Sequence, residues 1–244
     1  QPFWQICQAA LKKGLRGIAI TDHADLWFLK EAHTFEEIAG SIADAKAAAA
    51  YYGDELRVFC GVELAEFQDD PKDGEKILGL TDYDVVLGSV HSVRFEEWDT
   101  VYYSKICFDE AAAPESKIME FLEAYFKKLL HMAEKEDFDV LTHLTCPLRY
   151  INGRYHRNIR VQPYGDLIRE ILDSLIRRRK SLEVNTSGIH SFYGELLPGR
   201  EILEQYYAMG GRMITLGSDA HTADRLGNAF PETASLLTGI GFPG

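Results

Sequence analysis

Two hydrophobic periodicities alternate along the 244-residue chain. Apolar positions recur every three to four residues over residues 3–13, 35–52, 116–136, 164–180, 200–209 and 229–237, the spacing of helices that bury one face. Between them lie short apolar runs at residues 17–21, 57–62, 85–90, 140–142, 182–185 and 213–217. Runs without a polar face predict strands covered on both sides, as in a parallel sheet. Pro71-Lys72-Asp73-Gly74 reads as a turn. Strand and helix alternate strictly, so the expectation is an α/β fold whose parallel sheet is open or closed into a barrel. No internal repeat and no Pro/Gly/Ser-rich linker divides the chain, which implies a single domain over residues 1–244.

The residues that end each apolar run carry chemistry. In order they are Asp22-His23, Glu63, His91, His143, Asn185 and Asp219-Ala220-His221. In a parallel barrel the C-terminal strand ends converge on one face, so residues about 200 positions apart can meet around one small site. Histidine and carboxylate donors without thiolates suit zinc, manganese or iron. His23, Glu63, His91, His143, Asp219 and His221 supply six side chains where a single catalytic zinc takes three, so at least two divalent ions are expected, with a carboxylate such as Glu63 bridging. Adjacent ions suit hydrolysis of a phosphate ester: they lower the pKa of a shared water, orient it towards phosphorus and neutralise phosphoryl charge. Glu63, Asp219 and His221 are the catalytic candidates. Asp22 reads either as a ligand or as a residue that orients one.

Each of these residues also has a plain structural role open to it. His143 alone reads as a hydrogen-bonded core histidine and Glu63 alone as the partner of an arginine; their combination favours the metal site. Arg149, six residues beyond His143, is the candidate for a bidentate phosphate contact, with a surface arginine as the alternative. Asn185 reads equally as a hydrogen bond holding the strand end or as a substrate contact. His33 and His131 fall on or beside helices and read as solvated, whereas His156 and His190 follow strand ends and read as facing the pocket.

Composition narrows the partners. A formal charge of −12 opposes general binding to nucleic acid, which needs lysine and arginine to neutralise phosphates. Apolar stretches fall short of the roughly 20 residues of a membrane span, and the first residues show no export signal. Four cysteines without a Cys-x-x-Cys pair speak against a disulfide framework and for a reducing, cytoplasmic compartment. A small phosphorylated molecule is the expected partner. The basic run Arg177-Arg178-Arg179-Lys180 reads as the end of a helix, where cations favour the dipole.

Five segments make a more specific likeness. Thr21-Asp22-His23, Gly61-Val62-Glu63, Gly88-Ser89-Val90-His91, Thr142-His143-Leu144 and Gly217-Ser218-Asp219-Ala220-His221 resemble, in order and spacing, successive motifs of the PHP superfamily. Within it, Leu182-Glu-Val-Asn-Thr-Ser-Gly188 and residues 200–221 are similar to monofunctional histidinol-phosphate phosphatases. The resemblance implies a distorted, TIM-like (β/α)7 barrel with a trinuclear site, where Glu63 bridges two ions. His91 and His143 would complete one of these, Asp219 would ligate the other, and His23 with His221 would hold the third. It implies hydrolysis of L-histidinol phosphate to L-histidinol and phosphate in histidine biosynthesis. The alternatives are another small phosphate or nucleotide, and a non-catalytic metal-binding domain.

That family opens with a strand bearing a His-x-His pair, absent from this sequence, so an N-terminally truncated chain lacking the first strand is expected. Where the family often carries an arginine after Asn-Thr-Ser-Gly, His190 stands as a substrate-contact candidate. Glu66 and Glu195 are expected as acidic lining for a cationic substrate.

Overall fold

The computed structural model describes residues 3–26, 33–98 and 101–243. In chain order the elements are α1 (Phe3–Lys12), β1 (Gly17–Ile20), β2 (His23–Asp25), α2 (His33–Tyr52), β3 (Arg57–Ala65), α3 (Pro71–Leu78) and β4 (Val85–Ser89). There follow α4 (Glu115–Lys135), β5 (Val140–Leu141), α5 (Gly165–Arg178), β6 (Ser181–Asn185), α6 (Arg200–Ala208), β7 (Ile214–Gly217) and α7 (Phe230–Ile240). Every ladder is parallel, in the order β1-β3-β4-β5-β6-β7, with β2 also on β3.

β1 and β2 are two pieces of one sheet edge. β1 pairs with residues 57–60 and β2 with residues 63–65 of the long β3, and Thr21-Asp22 lies between them. Gly61 sits opposite this break, where a Cβ would stand 2.6 Å from Thr21 Cγ2 and 2.8 Å from Val85 Cγ1, so neighbours on both sides can close in only on glycine. Among the described residues no ladder joins β1 to β7. The expected α/β barrel is therefore realised as a curled parallel sheet that stays open along one side.

The helices cover the sheet with the stripes their periodicity predicts. α4 buries Ile118, Phe121, Leu122, Tyr125, Phe126, Leu129, Met132 and Ala133, a run of three- and four-residue steps. α5 answers with Ile168, Ile171, Leu172 and Leu175, and the pair is pinned where Ser174 Oγ donates to the Ala133 carbonyl at 2.9 Å. These side chains form the largest apolar cluster together with Leu141 and Leu182 of the neighbouring strands. Smaller clusters under α1 and α2 seat β1, β2 and β3.

The expected turn at Pro71 is instead the start of α3. Asp70 caps the helix by accepting the Asp73 N–H at 3.3 Å, and Pro71 occupies the first turn, where its missing N–H costs nothing. Gly74 is set by packing rather than by a turn, since a Cβ there would stand 2.4 Å from the Phe67 ring. No described helix is long and apolar enough to cross a membrane.

Candidate metal centre

Register alone brings two of the sequence candidates together: His23 in β2 pairs with Glu63 in β3. Their neighbour strands end one after another along the same rim. His91 follows β4 and His143 follows β5, while Asp219 and His221 follow β7. Glu63 is the hub, buried to 7% exposure. Its Oε1 lies 3.0 Å from His143 Nε2 and 3.2 Å from His91 Nε2, and these two ring nitrogens face each other at 3.4 Å. Oε2 turns the other way, 3.8 Å from His23 Nε2.

On the far side, ligand atoms of His23, Asp219 and His221 lie within 4.8 Å of one another, with His221 Nε2 3.3 Å from Asp219 Oδ1. His23 is thus common to two clusters, one with Glu63 and His91 and one with Asp219 and His221. Donor atoms on a tetrahedral zinc at about 2.0–2.1 Å stand roughly 3.3–3.4 Å apart. The Glu63–His91–His143 triangle, with edges of 3.0, 3.2 and 3.4 Å, has that size. Two imidazole nitrogens aimed at each other across a buried carboxylate call for a cation between them, so the residues present fit a divalent metal.

The electrostatics tell the same story. Burial, the largest influence on Glu63, would raise its pKa, yet hydrogen bonds from His143 and His91 hold it well below the usual carboxylate range. Burial likewise favours a neutral His23, but the hydrogen bond to Asp25 and the charge on Glu63 outweigh it and raise the ring to about 9. His91 is raised further for the same reasons. In Asp219, burial is overcome by the hydrogen bond with His221 and by Arg149, and the carboxyl is lowered. The backbone is also strained at this rim: His143 and Asp219 adopt φ of 21° and 47°, left-handed values that residues other than glycine hold at a cost of about 1–3 kcal/mol.

The chain matches the PHP domain family over residues 2–187. It is a PHP protein. Among its relatives, a protein from Thermotoga maritima named "Probable histidinol-phosphatase" is 34% identical over 135 residues, 55% of this chain. That alignment spans about half of the relative's length, 53%. A relative of the same name from Clostridium acetobutylicum is 29% identical over 232 residues, covering 93% of this chain and 83% of that protein. The crystal structure of histidinol phosphate phosphatase from Lactococcus lactis, complexed with zinc, L-histidinol and phosphate, superposes with a TM-score of 0.69 at 21% identity over 98% of this chain and 88% of that one, a likeness of fold.

The remaining sequence candidates of this PHP chain divide. Arg149 opens a π-helical stretch, Arg149–Arg154, and reaches the cluster: Nη1 donates to Asp219 Oδ2 at 2.8 Å and to Ser187 Oγ, and Nη2 donates to Tyr150 Oη at 2.9 Å. Arg149 is not part of the lining of the cavity of about 530 Å³ that His23, Glu63, His143, Asp219 and His221 share; Asn185 is, but its amide is engaged at the strand end, donating to Glu183 Oε2 at 3.1 Å and accepting the Ser187 N–H at 2.9 Å. Asp22 lines that cavity and is exposed. His190 is exposed on the turn after β6 and lies outside the lining of this cavity.

The expectation that His190 faces the pocket is thereby corrected, and so are those for Glu66, Glu195 and His156. Glu66 does not line the pocket: it is 1% exposed and accepts the backbone N–H groups of His91 and Ser92, fixing the turn after β4. Glu195 and His156 belong to a separate cavity of about 720 Å³ that contains none of the candidate metal ligands. His131 is exposed, as expected, and the His33 side chain lies outside the described residues.

Two site residues escaped the sequence reading. Asp25 Oδ1 lies 2.6 Å from His91 Nδ1, its Oδ2 lies 3.5 Å from His23 Nδ1, and Tyr102 donates to that oxygen at 2.7 Å. Glu183 is buried behind His143, with its pKa raised to about 7 by burial. The signal for both was alternation: His23 and Asp25, like Glu183 and Asn185, are two apart on a strand and share a face.

Proposed function

We propose that this PHP chain is a metal-dependent phosphoric monoester hydrolase whose substrate is L-histidinol phosphate, split to L-histidinol and phosphate. The observation that carries the reading is the buried Glu63–His91–His143 triangle, sized for a divalent ion. The named relatives and the fold shared with a zinc-, histidinol- and phosphate-bound structure support the substrate. When bound, zinc, manganese or iron would supply an activated water and neutralise phosphoryl charge.

The chain's own residues supply the rest. Glu63 presents one oxygen to His91 and His143 and the other to His23, so a single carboxylate can serve two sites. Asp219, kept ionised by His221 and Arg149, anchors the far side of the cavity. Arg149 is held by Asp219 and Ser187 through Nη1 and by Tyr150 through Nη2, which fixes its guanidinium beside the cluster and leaves a phosphoryl group only the N–H hydrogens those contacts do not use.

Phosphate release from L-histidinol phosphate, sugar phosphates and nucleotides, measured after loading with each metal, tests the proposal. The highest kcat/KM is expected for L-histidinol phosphate. A tenfold preference for another ester would remove the substrate, and failure of a metal-loaded chain to turn over any monoester would remove the hydrolase.

A further inference from the structure

Main chain holds the His143 backbone on one side only: its carbonyl accepts the Cys146 N–H at 2.7 Å, whereas its N–H has no main-chain partner in the sheet. The strand before it, β5, is two residues long, and its last ladder bond runs from the Thr142 N–H to the Gly88 carbonyl at 3.0 Å. The next residue leaves the sheet with φ of 21°, in the left-handed region. Its own N–H donates neither to β4 nor to β6 backbone but to a side chain, Glu183 Oε2, at 2.8 Å. That oxygen also accepts Asn185 Nδ2 at 3.1 Å.

The carboxylate sits in a built recess. Glu183 is 6% exposed on β6, and its register partner across the sheet, Thr215, lies two residues before Gly217. A Cβ on Gly217 would fall 1.8 Å from Glu183 Oε1, so the room for this carboxylate depends on glycine in β7. Three strands thus converge on one acceptor: β6 carries it, β7 leaves space for it, and the residue after β5 is tethered by it.

We propose that Glu183 is a positioning residue for the metal centre: it holds the strained His143 backbone so that the imidazole faces Glu63 and His91. The inference rests on the metal reading of that triangle. Glu183 acts through His143 alone, so removing it should cost nothing where His143 is already gone. Asn185, on the same oxygen, fixes the direction of the carboxylate rather than touching the ligand.

Zinc affinity, measured by competition with a chelating indicator on metal-stripped full chains, separates this role from a merely structural one. Glu183→Gln keeps an acceptor oxygen and is expected to stay within about threefold of wild type. Glu183→Ala is expected to weaken zinc by roughly 10–100-fold, the usual effect of losing a group that orients a ligand. In a His143→Ala background, Glu183→Ala is expected to add nothing, because the two changes interrupt one path. Equal losses in both backgrounds overturn the proposal, as does unchanged zinc affinity in a folded Glu183→Ala chain. Where Glu183→Ala fails to fold, Gly217→Ala displaces the same carboxylate from the other side. It is expected to weaken zinc only when His143 is present, and a loss independent of His143 again overturns the proposal. A wild-type chain that takes up no zinc overturns the metal reading itself, an outcome distinct from any pattern among the variants.

Discussion

Asp25 shows how much of a metal site lies behind the ligands. Its carboxylate touches Nδ1 of His91 at 2.6 Å, which leaves Nε2 as the nitrogen that faces Glu63, and it reaches His23 at 3.5 Å. A carboxylate behind an imidazole fixes the ring and makes it a better donor. Asp25→Asn keeps the shape and removes the charge, so zinc affinity in a competition titration is expected to fall by about 10–100-fold; unchanged affinity would deny Asp25 this role.

Protonation of the same rings sets the pH dependence. Without metal, His23 titrates at about 9 because the hydrogen bond to Asp25 and the charge on Glu63 outweigh burial, so at neutral pH it carries a proton that an ion must displace. Zinc affinity should therefore rise with pH up to about 9, and zinc binding in weak buffer at pH 7 should release protons. In the metal-free chain the sign is opposite. A raised folded pKa gives stability that is complete below the unfolded value, about 6.5, and is lost as pH rises through about 9. A pH titration of melting temperature should fall across that window without zinc; a flat profile together with no proton release would contradict the assignment.

Elements were legible where periodicity was long and clean. The α4 stripe spans residues 118 to 133 without interruption, and its helix was readable to within one residue at each end. α3 was not, because Pro and Gly three residues apart resemble a turn, although Asp70 and Pro71 were a cap and a first helical residue in plain view. What hid the helix was Gly74, whose reason is the Phe67 ring packed on it, a contact invisible before folding. β2 was hidden for lack of length: three residues, His23–Asp25, show no period, yet their ladder to β3 is what sets His23 beside Glu63. The α4 stripe also fixes where stability resides. Leu129 is fully buried in the main cluster, so Leu129→Ala is expected to cost about 2–5 kcal/mol in chemical denaturation. A loss under about 1 kcal/mol would mean that the α4 stripe does not carry the main core.

At the scale of the whole molecule, parallel topology made the site readable. Once strands all run the same way, the residues at and just beyond their C-terminal ends must share a rim: Glu63 near the end of β3 does so with His91, His143, Asp219 and His221, which follow β4, β5 and β7. What topology could not reveal was direction within loops. Glu66 directly follows β3 and His190 lies five residues beyond β6, but one turns inward to hold two backbone N–H groups and the other is exposed to solvent. Those choices depend on φ values and on partners far along the chain, which no local pattern encodes. The net charge of −12 acquires a local meaning as well. Asp25, Glu63 and Asp219 are gathered, ionised and largely buried in one place, a concentration of negative charge that divalent cations would neutralise. Anomalous diffraction from crystals of the chain soaked in zinc addresses that claim most directly. A zinc peak bonded at about 2.0–2.2 Å to Glu63, His91 and His143 is expected. Zinc bound elsewhere, with those three side chains left in contact only with one another, would contradict it.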